Sequence, residues 1–292
     1  LMDWYFEQNL RGHRFDYHWG GNPVFMGPYP VNHIFGPQVD LIQFLTTYHQ
    51  IKGRRSARRY LARLEKIGWK FAGLLESLAQ RSEMGVIPPR FVITKCLDQI
   101  EAFLSKPAAE NPLFTSFMEK VCESRRFGEK AAIRWGEKVK RTIESEVYPA
   151  YRRLQSALED LRGLATGEDG IWKLPDGEAY YAFLLRSHTT TDMTPDEVHQ
   201  LGLSEVARLT AELNEALSAL GLPSTAPGTQ LQALMADSQY HFQGDSPREA
   251  ILESYQAILD EVNGHLSALF RHGPLDEIAV KRLPEYKEPD SP

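Results

Sequence analysis

Apolar residues recur at helical spacing along most of this chain, and this pattern limits the fold more than any other feature. The segments 56–79 and 129–164 each carry one continuous apolar face. Residues three and four apart share one side of an α-helix, so each stripe predicts an amphipathic helix. Other stretches with the same pattern are 39–51, 90–104, 113–122, 194–220 and 246–269. We therefore predict a mainly α protein, built as an irregular helical array or bundle.

Glycine and proline interrupt these helical patterns at two informative places. Residues 1–37 form an N-terminal segment in which glycines and prolines alternate with aromatic residues after His13. Such a segment cannot form a long helix, so we predict an ordered irregular stretch that packs against helices or lines a ligand cleft. Pro149 falls inside the longest helical pattern and should kink or break that helix near Val147.

The rest of the chain divides into three regions by composition. Residues 38–170 are helical, and residues 171–276 are helical around a threonine-rich connection. Residues 277–292 combine a predicted strand at 277–283 with a proline-rich tail. No other segment of the sequence alternates well enough to pair with that strand, so we expect it to pair outside this chain.

Charge and cysteine content exclude several classes of protein. The net charge of −6 argues against a general nucleic-acid binder. No apolar run reaches the ~20 residues of a transmembrane helix, and no signal peptide is visible at the N-terminus. We expect a soluble protein, in the cytoplasm or the cell envelope. The two cysteines, Cys96 and Cys122, form no metal-binding pair and are predicted to be buried.

The predicted helix at 56–79 also carries a basic stripe opposite its apolar face. The stripe consists of Arg55, Arg59, Arg63, Lys66 and Lys70. A solvated helix face is the commoner explanation of such a pattern, and binding of an acidic partner is the other.

Histidines and carboxylates show no spacing typical of a catalytic or metal site. The sequence contains no His-Glu-x-x-His helix, no Gly-x-Ser-x-Gly turn and no phosphate-binding loop. We therefore assign no catalytic residue and no metal ligand to this chain.

The segment 180–203 offers the best candidate binding residues. An apolar helix ends there in Arg186 and His188, three threonines follow, and Thr194-Pro195 begins the next helix. The threonines Thr189, Thr190 and Thr191 either satisfy nearby backbone groups or donate hydrogen bonds to a ligand.

The run YYAFLLRSHTTTDMTPDEVHQLGLSEVARL at 180–209 resembles the bacterial family called domain of unknown function 885. The stretches SPREAILESYQAIL at 246–259 and LFRHGPLDEIAVKRLPEY at 269–286 resemble later motifs of that family, in the same order. The resemblance is firmest from Trp172 to Tyr286.

The resemblance implies a helical, zincin-type metallopeptidase whose His-Glu-x-x-His motif lies beyond Pro292. On that basis the chain is expected to be the N-terminal half of the enzyme, to form one wall of the substrate cleft and to be inactive alone. Zinc is expected in the C-terminal half, which would be the partner of this chain, and the substrate would be a peptide. The expected substrate-binding residues are Tyr180, Arg186, His188, Thr189, Thr190 and Thr191. The alternatives are a self-contained helical binding or scaffold module without catalysis and a family member that has lost its zinc.

Overall fold

The computed structural model describes residues 2–18, 27–222, 226–240, 247–271 and 278–280. These residues form helices and connecting segments with no strand among them, which confirms the mainly α prediction. The α-helices are α1 (Met2–Gly12), α2 (Pro37–Gln43), α3 (Arg54–Leu64), α4 (Ile67–Glu83), α5 (Arg90–Leu104), α6 (Pro112–Glu123), α7 (Glu129–Thr142), α8 (Tyr148–Leu164), α9 (Gly177–Thr189), α10 (Pro195–Ala219), α11 (Pro227–Ala236) and α12 (Pro247–Leu269).

Within the described residues, two π-helical turns and two 3-10 turns supplement these helices. One π turn, Phe44–Tyr48, extends α2, and the other, Ile143–Val147, joins α7 to α8. Pro149 has no N–H to donate, so the regular pattern of α-helical hydrogen bonds is interrupted there. The π turn ends at Val147, two residues before Pro149. The predicted interruption near Val147 is thus confirmed. The 3-10 turns are Ile171–Lys173 and Ser238–Tyr240.

The chain divides into two compact units, Leu1–Pro195 (unit 1) and Asp196–Pro292 (unit 2). In unit 1, α8 packs against α5 and α4, while α7 packs against α6 and α3. Leu154 and Leu158 of α8 are buried, and the ring of Tyr151 lies 4.9 Å from Phe71 and 4.4 Å from Phe103. This packing makes unit 1 a helical domain with a core of its own.

Helices α3 and α4 present one apolar seam to that core. The buried residues of the seam are Ala57, Tyr60, Leu64, Ile67, Phe71, Leu74 and Leu78. Their spacing of three and four residues continues across the short joint between the helices. The Tyr60 hydroxyl donates a 2.7 Å hydrogen bond to the Leu113 carbonyl, so even the polar atom on this seam is satisfied.

A second group of buried residues in unit 1 contains Phe15, Tyr17, Val86, Leu174 and Tyr180, and we call it the aromatic cluster. Residues 13–18 and 27–36 of the N-terminal segment are irregular, as predicted, and 19–26 lie outside the described residues. Tyr17 places the irregular segment against the helices, because its hydroxyl donates to the Pro175 carbonyl.

Unit 2 contains α11, α12 and all of α10 after Pro195. Helix α10 ends at the predicted stop, where Gly221 has a φ of +72° and the Leu222 N–H donates to the Leu217 carbonyl at 2.9 Å. Among the described side chains of unit 2, Leu217 is the one buried hydrophobic residue. Hydrophobic residues exposed on α10 and α12 include Leu201, Leu203, Val206, Leu209, Ile251, Tyr255, Ile258 and Val262.

The described residues test two further predictions, on the cysteines and on the C-terminal strand. Cys96 is buried as predicted, whereas the prediction for Cys122 is wrong, because it lies on the exposed side of α6. Of the strand predicted at 277–283, only 278–280 is described, and it is not in a strand. The Val280 N–H there donates a 3.0 Å hydrogen bond to Gln256 Oε1 of α12.

Candidate functional site

Helix α9 carries four of the six predicted binding residues, and a tight turn fixes where it begins. Asp176 has a φ of +51°, and Gly177 starts the helix directly after it. A methyl group on Gly177 would lie 2.3 Å from the Ile171 carbonyl oxygen, so this close approach requires glycine. The turn holds the first half of α9 against the N-terminal segment.

Tyr180 lies in the middle of the aromatic cluster and is fully buried. Its ring meets Phe15 and Tyr17 edge-on, with centroids at 4.9 Å and 5.0 Å. Burial raises the pKa of Tyr180, and the neighbouring Tyr17 raises it further. Burial also raises the pKa of Tyr29, to about 12. These hydroxyls therefore stay protonated at neutral pH and act as hydrogen-bonding groups.

His18 is the polar partner of Tyr180. Its Nδ1 lies 3.0 Å from the Tyr180 hydroxyl, and its ring meets Phe183 edge-on at 5.1 Å. Burial lowers the pKa of His18, and its neighbours His13 and Arg81 lower it further. The imidazole is therefore neutral at pH 7. Its Nε2 is buried and has no hydrogen-bond partner among the described residues.

Arg81 connects α4 to the same region. Its Nε donates to the Pro28 carbonyl at 3.1 Å and its Nη2 to the Tyr17 carbonyl at 3.2 Å, while Nη1 donates to the Ser77 hydroxyl. One guanidinium thus holds two parts of the N-terminal segment against the helix. Because its charge also lies near His18 and Tyr180, it disfavours protonation of the imidazole.

Polar side chains at the C-terminal end of α9 form a second set, separate from the aromatic cluster. Arg186 Nη1 forms an ion pair with Asp192, while its Nε is buried and has no partner among the described residues. Thr190 has a φ of +58° and ends the helix, with its N–H donating to the Arg186 carbonyl at 2.9 Å. This turn folds the threonine-rich connection back towards the helix end.

Hydroxyl groups stabilise that turn from within. Thr189 Oγ1 donates to the Leu185 carbonyl at 2.9 Å and lies 2.9 Å from Thr191 Oγ1. Thr191 Oγ1 accepts the Met193 N–H at 3.4 Å. Thr189 and Thr191 therefore bond to local backbone groups, and Thr190, Thr191 and the neighbouring His188 remain exposed.

The six predicted residues thus fall into two groups at the two ends of α9. Tyr180 is buried beside His18, whereas Arg186, His188 and the threonines lie at the C-terminal end, which begins about 9 Å further along the axis for a rise of about 1.5 Å per residue. Neither His18 nor Arg81 was predicted as a site residue from the sequence. Arg81 could have been found, because it lies seven residues after Leu74 on the apolar seam, whereas no periodicity marks His18.

The chemistry available in the described residues is hydrogen bonding. A neutral imidazole, a buried tyrosine hydroxyl and an arginine can orient a polar ligand, but they do not form a nucleophile with its base. The described residues contain no group of three or more His, Cys, Asp or Glu side chains that could hold a metal ion. No described helix is long and apolar enough to cross a membrane.

A crystal structure of another protein has a fold similar to that of this chain. The crystal structure of "the putative lipoprotein from Colwellia psychrerythraea" is similar to this chain, with 25% sequence identity and a TM-score of 0.86. The match covers 94% of this chain and 48% of the Colwellia chain, so this chain spans about half the length of that structure. No curated protein matches the sequence.

The family model described as "Bacterial protein of unknown function (DUF885)" matches residues 1–292. The resemblance noted in the sequence at 180–209 and in the later motifs is therefore part of a match that spans every residue. This chain belongs to the bacterial DUF885 family.

Proposed function

We propose that this chain is the N-terminal helical half of a zinc-dependent peptidase and forms one wall of its substrate cleft. The observation that carries the proposal is the open apolar surface of unit 2. Helices α10 and α12 are amphipathic, yet their large hydrophobic residues are exposed; Val206 and Tyr255 are 64% and 60% exposed. Apolar helix faces that are exposed in this way are typical of binding sites for another protein segment.

The partner that we propose for this surface is the C-terminal half of the same protein. The Colwellia structure supports this, since a chain about twice as long contains the fold of this one as one half. We also propose that zinc is held in that second half, since the described residues of this chain offer no ligand set. No catalytic step is assigned to a residue of this chain.

We propose the C-terminal end of α9 as the part of the wall that contacts a peptide substrate. Arg186 and the exposed His188, Thr190 and Thr191 present donors that suit peptide carbonyl groups. Thr189 supports this surface through its bond to the Leu185 carbonyl. Tyr180 is a positioning residue, because it is buried and fixes the start of α9 through His18.

We further propose that the protein works in the cell envelope. The support is the description of the Colwellia protein as a "putative lipoprotein". Lipid attachment would place that protein at a membrane surface without a transmembrane helix.

Peptidase assays on the complete gene product, with zinc measured in the same sample, test the proposal. We expect about one zinc per protein and cleavage of unstructured peptides. Arg186→Ala should raise KM by roughly 10-fold, the loss of one charge-assisted hydrogen bond. The matched control is Arg162→Ala, which removes an exposed arginine from α8. Zinc-free, inactive protein would contradict the enzymatic proposal. Unchanged kinetics of Arg186→Ala would contradict the proposed contact between α9 and the substrate.

A further inference from the structure

The outer side of α3 and α4 carries a concentrated positive charge. Between residues 54 and 70 the sequence has seven basic residues and one acidic residue, in a chain whose net charge is −6. The basic residues on the outer side are exposed, while the opposite side forms the buried seam. We call the exposed set the basic face, and it consists of Arg54, Arg55, Arg58, Arg59, Lys66 and Lys70.

The charge on the basic face is not neutralised within the described residues. The ion pairs found among them involve Arg11, Arg186 and Arg208, and none involves the basic face. Helix α3 begins with Arg54 and Arg55 and has no acidic residue in its first turn. Positive charge at a helix N-terminus opposes the helix dipole, so this arrangement lowers the stability of an isolated helix. An external anionic surface would remove that penalty.

Neighbouring elements add further cations to the same side. A methyl group placed on Gly68 would lie 3.4 Å from Arg153 Nη2, so the exposed Arg153 of α8 reaches the basic face. A methyl group on Gly53 would lie 4.0 Å from Arg126 Cδ, so the turn before α7 reaches it as well. The positive surface thus extends across three helices of unit 1, α3, α4 and α8, and the turn before α7.

Trp69 lies within this positive surface and is 77% exposed. Trp69 follows Arg55 by fourteen residues, which is two repeats of the seven-residue spacing of the buried seam. Both residues therefore lie on the side of the helices opposite the seam. Lys66 and Lys70 flank Trp69. A solvent-exposed tryptophan is unfavourable in water, but its amphipathic ring is suited to the headgroup layer of a membrane.

Cations around an exposed tryptophan are typical of proteins that bind anionic lipid surfaces. Proteins that bind single-stranded nucleic acid stack its bases on several aromatic side chains, whereas Trp69 is the single tryptophan within this positive surface. We propose that the basic face and Trp69 bind the anionic headgroup surface of a membrane, with Trp69 inserted between headgroups. The proposal builds on the proposed location in the cell envelope, and it names the face of unit 1 that lies against the membrane.

Co-sedimentation of the full chain with vesicles tests the proposal. We expect binding to phosphatidylcholine vesicles that contain about a third phosphatidylglycerol, no binding to pure phosphatidylcholine, and release at high salt. The variant Arg55→Glu/Arg58→Glu/Arg59→Glu should bind roughly 100-fold more weakly. Trp69→Ala should bind roughly 10-fold more weakly at every salt concentration, because its contribution is apolar.

The matched control is Lys95→Glu/Lys106→Glu/Arg162→Glu, which reverses three exposed cations outside the basic face. Circular dichroism shows whether each variant is folded. Equal binding by the two triple variants, or tighter binding of wild type to single-stranded RNA than to the anionic vesicles, would overturn the proposal. Vesicle binding is measured without substrate, so a failed peptidase assay and a failed vesicle assay remain distinguishable.

Discussion

Helices α8 and α12 carry the same apolar spacing but differ in what covers it. In α8 the residues Tyr151, Leu154 and Leu158 are at most 1% exposed. In α12 the residues Tyr255, Ile258 and Val262, at the same intervals, are 60%, 55% and 50% exposed. An amphipathic pattern therefore predicts that a face will be buried, but it does not identify the partner or show that the partner belongs to the same domain.

Truncation of matched apolar residues should give the largest difference between the two helices. Leu154→Ala leaves a cavity in the core of unit 1 and should lower the free energy of unfolding by about 2–5 kcal/mol. Ile258→Ala should change it by less than about 0.5 kcal/mol, since the side chain is already in water. Urea titrations measure both. A loss at Ile258 as large as that at Leu154 would show that the face of α12 is already covered.

Two helical glycines should respond to alanine with opposite signs. A methyl group on Gly12 of α1 would lie 2.5 Å from His18 Cδ2 and 3.1 Å from Phe183 Cζ, so Gly12→Ala should destabilise unit 1 by about 1–3 kcal/mol. Gly73 of α4 has nothing within 4 Å, so Gly73→Ala should stabilise the protein by about 0.5–1 kcal/mol. Thermal melts compare the two variants. A stabilising Gly12→Ala would contradict the packing of α1 against His18.

The hydroxyl of Tyr180 should contribute a smaller but measurable amount. Tyr180→Phe removes the bond to His18 Nδ1 and should cost about 1 kcal/mol. Tyr255→Phe in α12 is the control, because that side chain is 60% exposed. Denaturant titration of both variants measures the effect. Equal stability of wild type and Tyr180→Phe would mean that the bond contributes nothing net.

Acid should destabilise unit 1 through two histidines. Burial lowers the pKa of His18 and of His49, and near His49 the cations Arg63, Lys120 and Arg59 add to the effect. Because the folded state then binds fewer protons than the unfolded state, stability is full above the ordinary pKa of 6.5 and declines as pH falls towards the lowered values.

At neutral pH this decline is the smallest of the predicted effects. It is measured as the change in the free energy of unfolding between pH 7 and pH 5. NMR titration of the two imidazoles is the direct check. His49 donates through Nε2 to the Ser56 carbonyl and accepts from Arg63 Nη1 at 2.7 Å, so protonation would break its bond to Arg63. Titration of both rings above pH 6.5 would contradict this assignment.

Local rules predicted most helices of unit 1, but the pattern at 56–79 predicted one helix where the structure has two, α3 and α4, separated by a turn at Glu65 and Lys66. Helical periodicity predicted α5 with its observed limits, and Pro149 correctly indicated the interruption before α8. The rule for free cysteines was wrong for Cys122, because average burial does not specify which side of α6 a residue occupies.

The candidate site was harder to predict, since it depends on contacts between distant segments. His18 and Tyr180 are separated by 162 positions and meet only in the folded chain. Sequence reasoning selected Tyr180 for its place in a recognisable run, and the structure places it in the buried aromatic cluster. Arg186 and the threonines were selected for their polar groups, and most of these groups bond locally. The substrate contacts remain a proposal.

Hydrogen exchange of α12 tests the central proposal most directly. The amides of residues 251–262 should be measured in this 292-residue chain and in the complete gene product. If a second half covers the exposed face, exchange in the complete protein should be slower by at least about 10-fold, whereas exchange in α8 should stay unchanged. Equal exchange of α12 in the two proteins, or a gene that encodes nothing beyond Pro292, would contradict the proposal.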